Sequence, residues 1–267
     1  MARSQRRPVE DFAAIVRALS EHAKDPIVLV GEHAVNVWAL TYQDRIGELL
    51  RPHQPFTSSD MDVYGTRNAL LALHHDLGGQ LLLSGPREIT DGTLILGVEP
   101  DTREIDVLRS VKGIPTIEAQ DTISLKVCGH DVPVLFPHIL LQGKLDNALH
   151  LDQAERQDVK HVKVLVLVLH EFLKEVIKTA TPPREKPALA LLQNILAVLT
   201  STNAQEFTQR HGLAFDEIMP VHELANSPLS RLRRFGAEQL PRAFARAARE
   251  HPEALPEPRA PKASRSH

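Results

Sequence analysis

The stretch Thr57-Ser58-Ser59-Asp60-Met61-Asp62-Val63 decides how this chain is read. It alternates polar and apolar residues, and side chains two apart on a strand point to the same face. Asp60 and Asp62 therefore stand together on one face of a half-buried strand, while Met61 and Val63 enter a core. Carboxylates side by side repel unless a cation sits between them. A hard divalent ion binds oxygen ligands of this kind and keeps positions open for phosphates and water. Read alone, a D-x-D is a solvent-facing strand edge with two ordinary acids, since the pattern is common by chance.

A second segment changes that balance. Arg103-Glu104-Ile105-Asp106-Val107-Leu108 repeats the alternation, with Glu104 and Asp106 on one face and Ile105 and Val107 on the other. If the two strands are neighbours, Asp106 completes a three-carboxylate cluster, and Glu104 faces solvent. Such clusters hold two divalent ions about 4 Å apart, which clamp the attacking and leaving oxygens of phosphoryl or nucleotidyl transfer. Upstream, Val28-Leu29-Val30-Gly31-Glu32-His33-Ala34 reads as a strand, a glycine turn and a helix start. Backbone N–H groups at such a start suit a phosphate. Simple chain reversal accounts for one glycine just as well.

Outward from these segments, residues 9–135 alternate helical and strand patterns. Helical periodicity marks Phe12 to Ala23, Val35 to Leu49 and Ala69 to Leu77. Strands are expected at 27–30, 60–65, 80–84, 93–98 and 103–108, with a hairpin formed by 123–128 and 132–135. After Pro137 the pattern is helical, at 138–149, 155–178 and 188–199, then in shorter pieces to about Arg249. The β-branched run Val162 to Val168 fits a buried helix because its charged flanks keep helical period. The expected fold class is α+β: a core with a mixed β-sheet over 9–135, a helical domain over 136–249, and a disordered tail over 250–267. The active cleft is expected between the two halves.

Composition sets outer limits. The chain has 267 residues, 42% hydrophobic and 24% charged, with 31 basic against 34 acidic side chains and a net charge of −3. That excludes a chain-wide basic surface, although Ser230 to Arg249 carries a local run of arginines to which nucleic acid phosphates are suited. One cysteine, Cys128, excludes a disulfide framework and a cysteine-based zinc site. The longest apolar run, Val164 to Leu169, is far shorter than a membrane span, and no apolar signal core follows the basic N-terminus. A cytoplasmic location without membrane contact is the expectation. Of the 14 histidines, none sits in an H-E-x-x-H motif; His33, beside the glycine turn, is placed to touch a substrate.

Together these pieces resemble the nucleotidyltransferase superfamily, whose mark is a strand, a Gly-Gly or Gly-Ser turn, a helix, D-x-D on the next strand and a third carboxylate on a later one. The chain looks most like bacterial proteins of the AbiEii-toxin or MenT-like kind over residues 25–180, through Val28 to Trp38, Phe56 to Gly65, Glu104 to Leu108 and the helix around Lys144. The resemblance implies a Mg²⁺-dependent (or Mn²⁺-dependent) nucleotidyltransferase with a nucleoside triphosphate as co-substrate. Asp60, Asp62 and Asp106 would be catalytic and hold metal, with Asp106 also assisting the acceptor hydroxyl. Gly31, Glu32, Ser59, Lys144 and Asp158 would bind nucleotide. Candidate acceptors are tRNA, a protein hydroxyl or a small molecule such as an aminoglycoside, and a toxin-like role would bring an antitoxin partner. By helical position alone Lys144 borders the apolar stripe, where a lysine ordinarily snorkels to solvent.

The chain also departs from the family pattern. Glu32 follows Gly31 where glycine or serine is usual, and would bring negative charge towards a triphosphate unless its side chain turns away or binds metal. In Arg156-Gln157-Asp158-Val159-Lys160-His161, Gln157 replaces a lysine and His161 an aspartate of the family's R-x-K-D-x-x-D helix. A catalytically silent module that binds a protein or nucleic-acid partner is the alternative. A carboxylate-cluster phosphohydrolase is a third.

Overall fold

A computed structural model describes residues 5–21, 27–99 and 101–250. The chain forms two compact units, divided between Leu169 and His170.

The first unit is built on a seven-stranded mixed sheet. Its strands are β1 (Val28–Leu29), β2 (Asp60–Tyr64), β3 (Gln80–Leu83), β4 (Thr90–Leu96), β5 (Arg103–Leu108), β6 (Thr122–Val127) and β7 (His130–Leu135), in the spatial order β3-β4-β5-β2-β1-β7-β6. Alternation along β2 and β5 buries Met61, Val63, Ile105 and Val107 completely, so the acids between them are driven to the opposite face. The two strands run parallel with Asp60 opposite Glu104, Met61 opposite Ile105 and Asp62 opposite Asp106. β1 lies on the other side of β2, antiparallel to it and parallel to β7.

Helices α1 (Ala13–Glu21), α2 (Gly31–Leu50) and α3 (Arg67–Leu77) belong to this unit, as do α4 (Pro137–His150) and the first half of α5 (Asp158–Thr179). The long apolar face of α2 buries Ala34, Val35, Trp38 and Tyr42. The Trp38 indole also donates to the backbone oxygen of Leu135 at 2.8 Å, tying α2 to the end of β7. The Thr66 hydroxyl caps α3 by accepting from Ala69 N–H at 3.3 Å.

The second unit is helical. It holds the rest of α5 and α6 (Glu185–Leu199), α7 (Thr202–His211), α8 (Val221–Ala225), α9 (Ser230–Arg234) and α10 (Leu240–Glu250). Its core gathers Leu192, Ile195, Leu199, Phe207, Leu224, Leu232 and Phe235, all fully buried.

The α+β class and the helical C-terminal part agree with the sequence expectation. The division does not fall at 135/136: α4 and the start of α5 pack with the sheet unit because their apolar residues, among them Leu141, Leu145, Val162 and Leu165, are buried there. Residue 250 closes α10, while the rest of the expected tail, 251–267, lies outside the described residues. Among the described residues no helix is long and apolar enough to cross a membrane.

Candidate active site

A cleft of about 480 Å³ opens in the first unit, with Asp60, Asp62 and Asp106 on its wall. Gly31, Glu32, Ser59 and Lys144 line it too, as do Arg6, Lys112 and Arg156. Aliphatic residues such as Ile89, Leu108, Ile114 and Leu140 complete the lining. Every described lining residue falls between positions 6 and 156, so the cleft lies within one compact unit, and it is lined from both sides of the 135/136 boundary expected from sequence, by the sheet part and by Leu140 to Arg156.

Gly31 sets the geometry. It starts α2 with φ +65°, a left-handed value that favours glycine. A Cβ at this position would fall 2.0 Å from Asp62 Oδ2, so the Asp62 carboxylate rests directly against the first turn of α2. Val30 N–H donates to the Asp62 backbone oxygen at 3.0 Å and locks turn and strand together.

Burial pushes the Asp62 carboxyl up to about 7, and the charges of Asp60 and Asp106 act in the same direction, against an opposing pull from Lys144. The Asp106 carboxyl is likewise raised, chiefly by burial, although the Thr93 hydroxyl donates to it from the neighbouring β4. Ser58 Oγ lies 3.2 Å from Asp60 Oδ1. Glu104 is half-buried opposite Asp60, and burial together with the Asp106 and Asp60 charges raises its carboxyl as well.

These oxygens are the right donor set for a hard divalent cation, and the Asp62 carboxyl is raised first by burial and then by the Asp60 and Asp106 charges beside it. Asp60, Asp62 and Asp106 thus fit such an ion by chemistry. They are not a ready-made cage: among the described residues no three His, Cys, Asp or Glu side chains converge closely enough to hold a metal.

Lys144 does not snorkel. It is buried, and its Nζ donates to Asp158 Oδ1 at 2.8 Å. Asp158 is fully buried and accepts a second charged bond from Arg156 Nε. The two cations hold its carboxyl below the usual carboxylate range in spite of burial. Asp158 is therefore not part of the cleft wall; it anchors two cations that are.

Glu32 lines the cleft with its carboxylate tied back by three donors. Its Oε2 accepts from Arg6 Nη1 at 2.7 Å, from Gln157 Nε2 at 3.2 Å and from Ser58 Oγ at 3.2 Å. Gln157 also donates to Thr57 O at 3.2 Å. A lysine in its place would add charge where the glutamine supplies only hydrogen bonds. His161 is fully buried without a hydrogen-bond partner among the described residues, and burial with the surrounding cations holds it neutral, well below the ordinary histidine range. His33 does not reach the cleft: it is fully buried, packed edge-on against Phe12 at 4.7 Å and lowered to about 4 by burial.

Sequence reasoning missed Arg6, Lys112 and Thr93. Thr93 was findable only from the β4–β5 register, which sets it opposite Asp106. Arg6 and Lys112 carry no local signal, since each reaches the cleft from an irregular segment.

Comparison of the chain with family models, with curated proteins and with solved structures finds no match.

Proposed function

We propose that this chain is a divalent-metal-dependent nucleotidyltransferase, moving a nucleoside monophosphate from a nucleoside triphosphate to a hydroxyl acceptor. The observation that carries the reading is the register that sets Asp62 beside Asp106, with Asp60 on the same wall and α2 starting against Asp62. Asp60 and Asp62 would hold Mg²⁺ or Mn²⁺, assisted by Asp106. When bound, the metal supplies charge neutralisation for the phosphates and for the pyrophosphate that leaves.

The chain's own groups do the rest. The first turn of α2 presents backbone N–H groups to an anion, and Lys144 adds positive charge beside Asp62. Asp106, with its carboxyl raised by burial, is suited to accept the proton of the acceptor hydroxyl. A new bond forms from that oxygen to the α-phosphorus, and the bond to the β-phosphate oxygen breaks. Catalysis is then chiefly positioning and electrostatics. The acceptor, whether tRNA, protein or small molecule, and any antitoxin partner belong to the same proposal.

The test is transfer of α-labelled nucleotide in Mg²⁺ or Mn²⁺. Asp60→Ala should lose nearly all transfer and keep its fold by circular dichroism. Equal transfer by Asp60→Ala would overturn the mechanism. A second reading, the catalytically silent binding module, draws on Glu32 inside the cleft and on Lys144 being committed to Asp158. Triphosphate binding without turnover on any acceptor would favour it.

A further inference from the structure

The N-terminal segment forms a strap beside the carboxylates. Arg7 and Ser58 make an isolated antiparallel bridge, with Arg7 N–H donating to Ser58 O at 2.7 Å and Ser58 N–H to Arg7 O at 2.9 Å. Ser58 stands just upstream of Asp60 on the way into β2. The Arg7 guanidinium is fastened to Asp101 at 2.7 Å and Asp11 at 3.5 Å. The strap is thus held by backbone and side chain at one residue.

The residue before it enters the cleft. Arg6 Nη1 donates to Glu32 Oε2 at 2.7 Å, and Nη2 to the backbone oxygen of Glu155 at 3.1 Å. Its side chain keeps 35% exposure against 14% for Glu32, so the pair sits at the cleft surface with the acid inside. Lys144 and Arg156 are both committed to Asp158. Lys160 and Arg156 also act on Glu32 electrostatically, but its close ion pair is with Arg6. Without Arg6, Glu32 would add to the negative charge of the Asp60, Asp62 and Asp106 wall, at the helix start where an anion binds best.

We propose that Arg6 is a positioning residue of the nucleotide site: delivered by the strap, it neutralises Glu32 and ties its carboxylate back, so that the first turn of α2 accepts a polyphosphate. This rests on the nucleotidyltransferase reading and explains how a Gly-Glu turn serves where a neutral residue would be simpler. The guanidinium acts through Glu32, not on the reacting atoms.

The experiment measures binding of a non-hydrolysable nucleoside triphosphate analogue with Mg²⁺ to the full chain, by calorimetry, for the parent, Arg6→Ala, Glu32→Gln and the double variant. Arg6→Ala should weaken binding on the order of ten- to a hundredfold, because it removes the ion pair of an enclosed acid beside the phosphates. Glu32→Gln should bind at least as well as the parent. The double variant should recover to the level of Glu32→Gln, a rescue that loss of a merely structural contact would not produce. Nucleotide-free Arg6→Ala should unfold close to the parent temperature, since Arg6 is partly exposed. Parent-like binding by Arg6→Ala overturns this inference alone. A double variant as weak as Arg6→Ala overturns it too, by showing that Arg6 does not act through Glu32. A parent chain that binds no triphosphate sinks both this inference and the nucleotidyltransferase reading.

Discussion

Asp62 is the residue on which structure and chemistry meet. It sits half-buried against Gly31, flanked by like charges, and its carboxyl is raised from 3.8 to about 7. The sign of the consequence follows from linkage: the folded chain holds a proton here that the unfolded chain has already lost, so this contribution is most favourable below about pH 4 and falls as pH rises towards 7. Above pH 7 the ionised group destabilises the metal-free fold. Asp62→Asn should therefore raise the metal-free unfolding temperature at pH 8 and show no such advantage at pH 4. Added Mg²⁺ should stabilise the parent and leave the variant nearly unmoved. If the variant gained nothing at pH 8, the account of Asp62 as a strained acid would fail. The D-x-D spacing made the two acids visible in sequence. Their strain was not, because desolvation and the approach of Gly31 arise only once α2 and β2 are packed.

At the scale of elements, β2 and β5 were legible because alternation is a local property of each strand. What alternation cannot say is which strands pair. The parallel register of β2 on β5 brings together residues more than forty positions apart, and it is this register that joins Asp106 to Asp62. The tie between α4 and α5 is of the same kind. Lys144 lies on a helix whose apolar stripe predicted a side chain reaching to solvent, yet a buried carboxylate arriving on α5 holds it inside. Removing one member of a buried pair leaves the other charge uncompensated, which typically costs 3–5 kcal/mol. Arg156 remains on Asp158, so Lys144→Met is expected at the lower end, roughly 3 kcal/mol in urea unfolding. A cost near zero would mean that the pair contributes nothing to docking α5 against α4.

At the scale of the whole molecule, the candidate site belongs to one unit. Among the described residues lining the cleft, none comes from beyond Arg156, whereas the arginine-rich segment near the C-terminus belongs to the other unit. There Arg231 pairs with Glu185, Arg234 with Glu238 and Arg246 with Glu250, so the basic run is partly neutralised by its own neighbours. A triple Arg231→Ala, Arg234→Ala, Arg246→Ala variant should bind triphosphate with the parent's affinity, measured by thermal shift across a nucleotide titration. A marked loss would place nucleotide contacts in the second unit and contradict the assignment of the site to the first.

Local patterning along the chain was enough for the α+β class, the acidic faces of two strands and the glycine at the start of a helix. All three rest on short-range periodicity and backbone sterics, which operate over a few residues. Folding was needed to set Asp106 beside Asp62, to hold Lys144 on Asp158 and to pair Arg6 with Glu32. Those pairings depend on burial and on charges brought together from distant parts of the chain, and neither is written in any single segment.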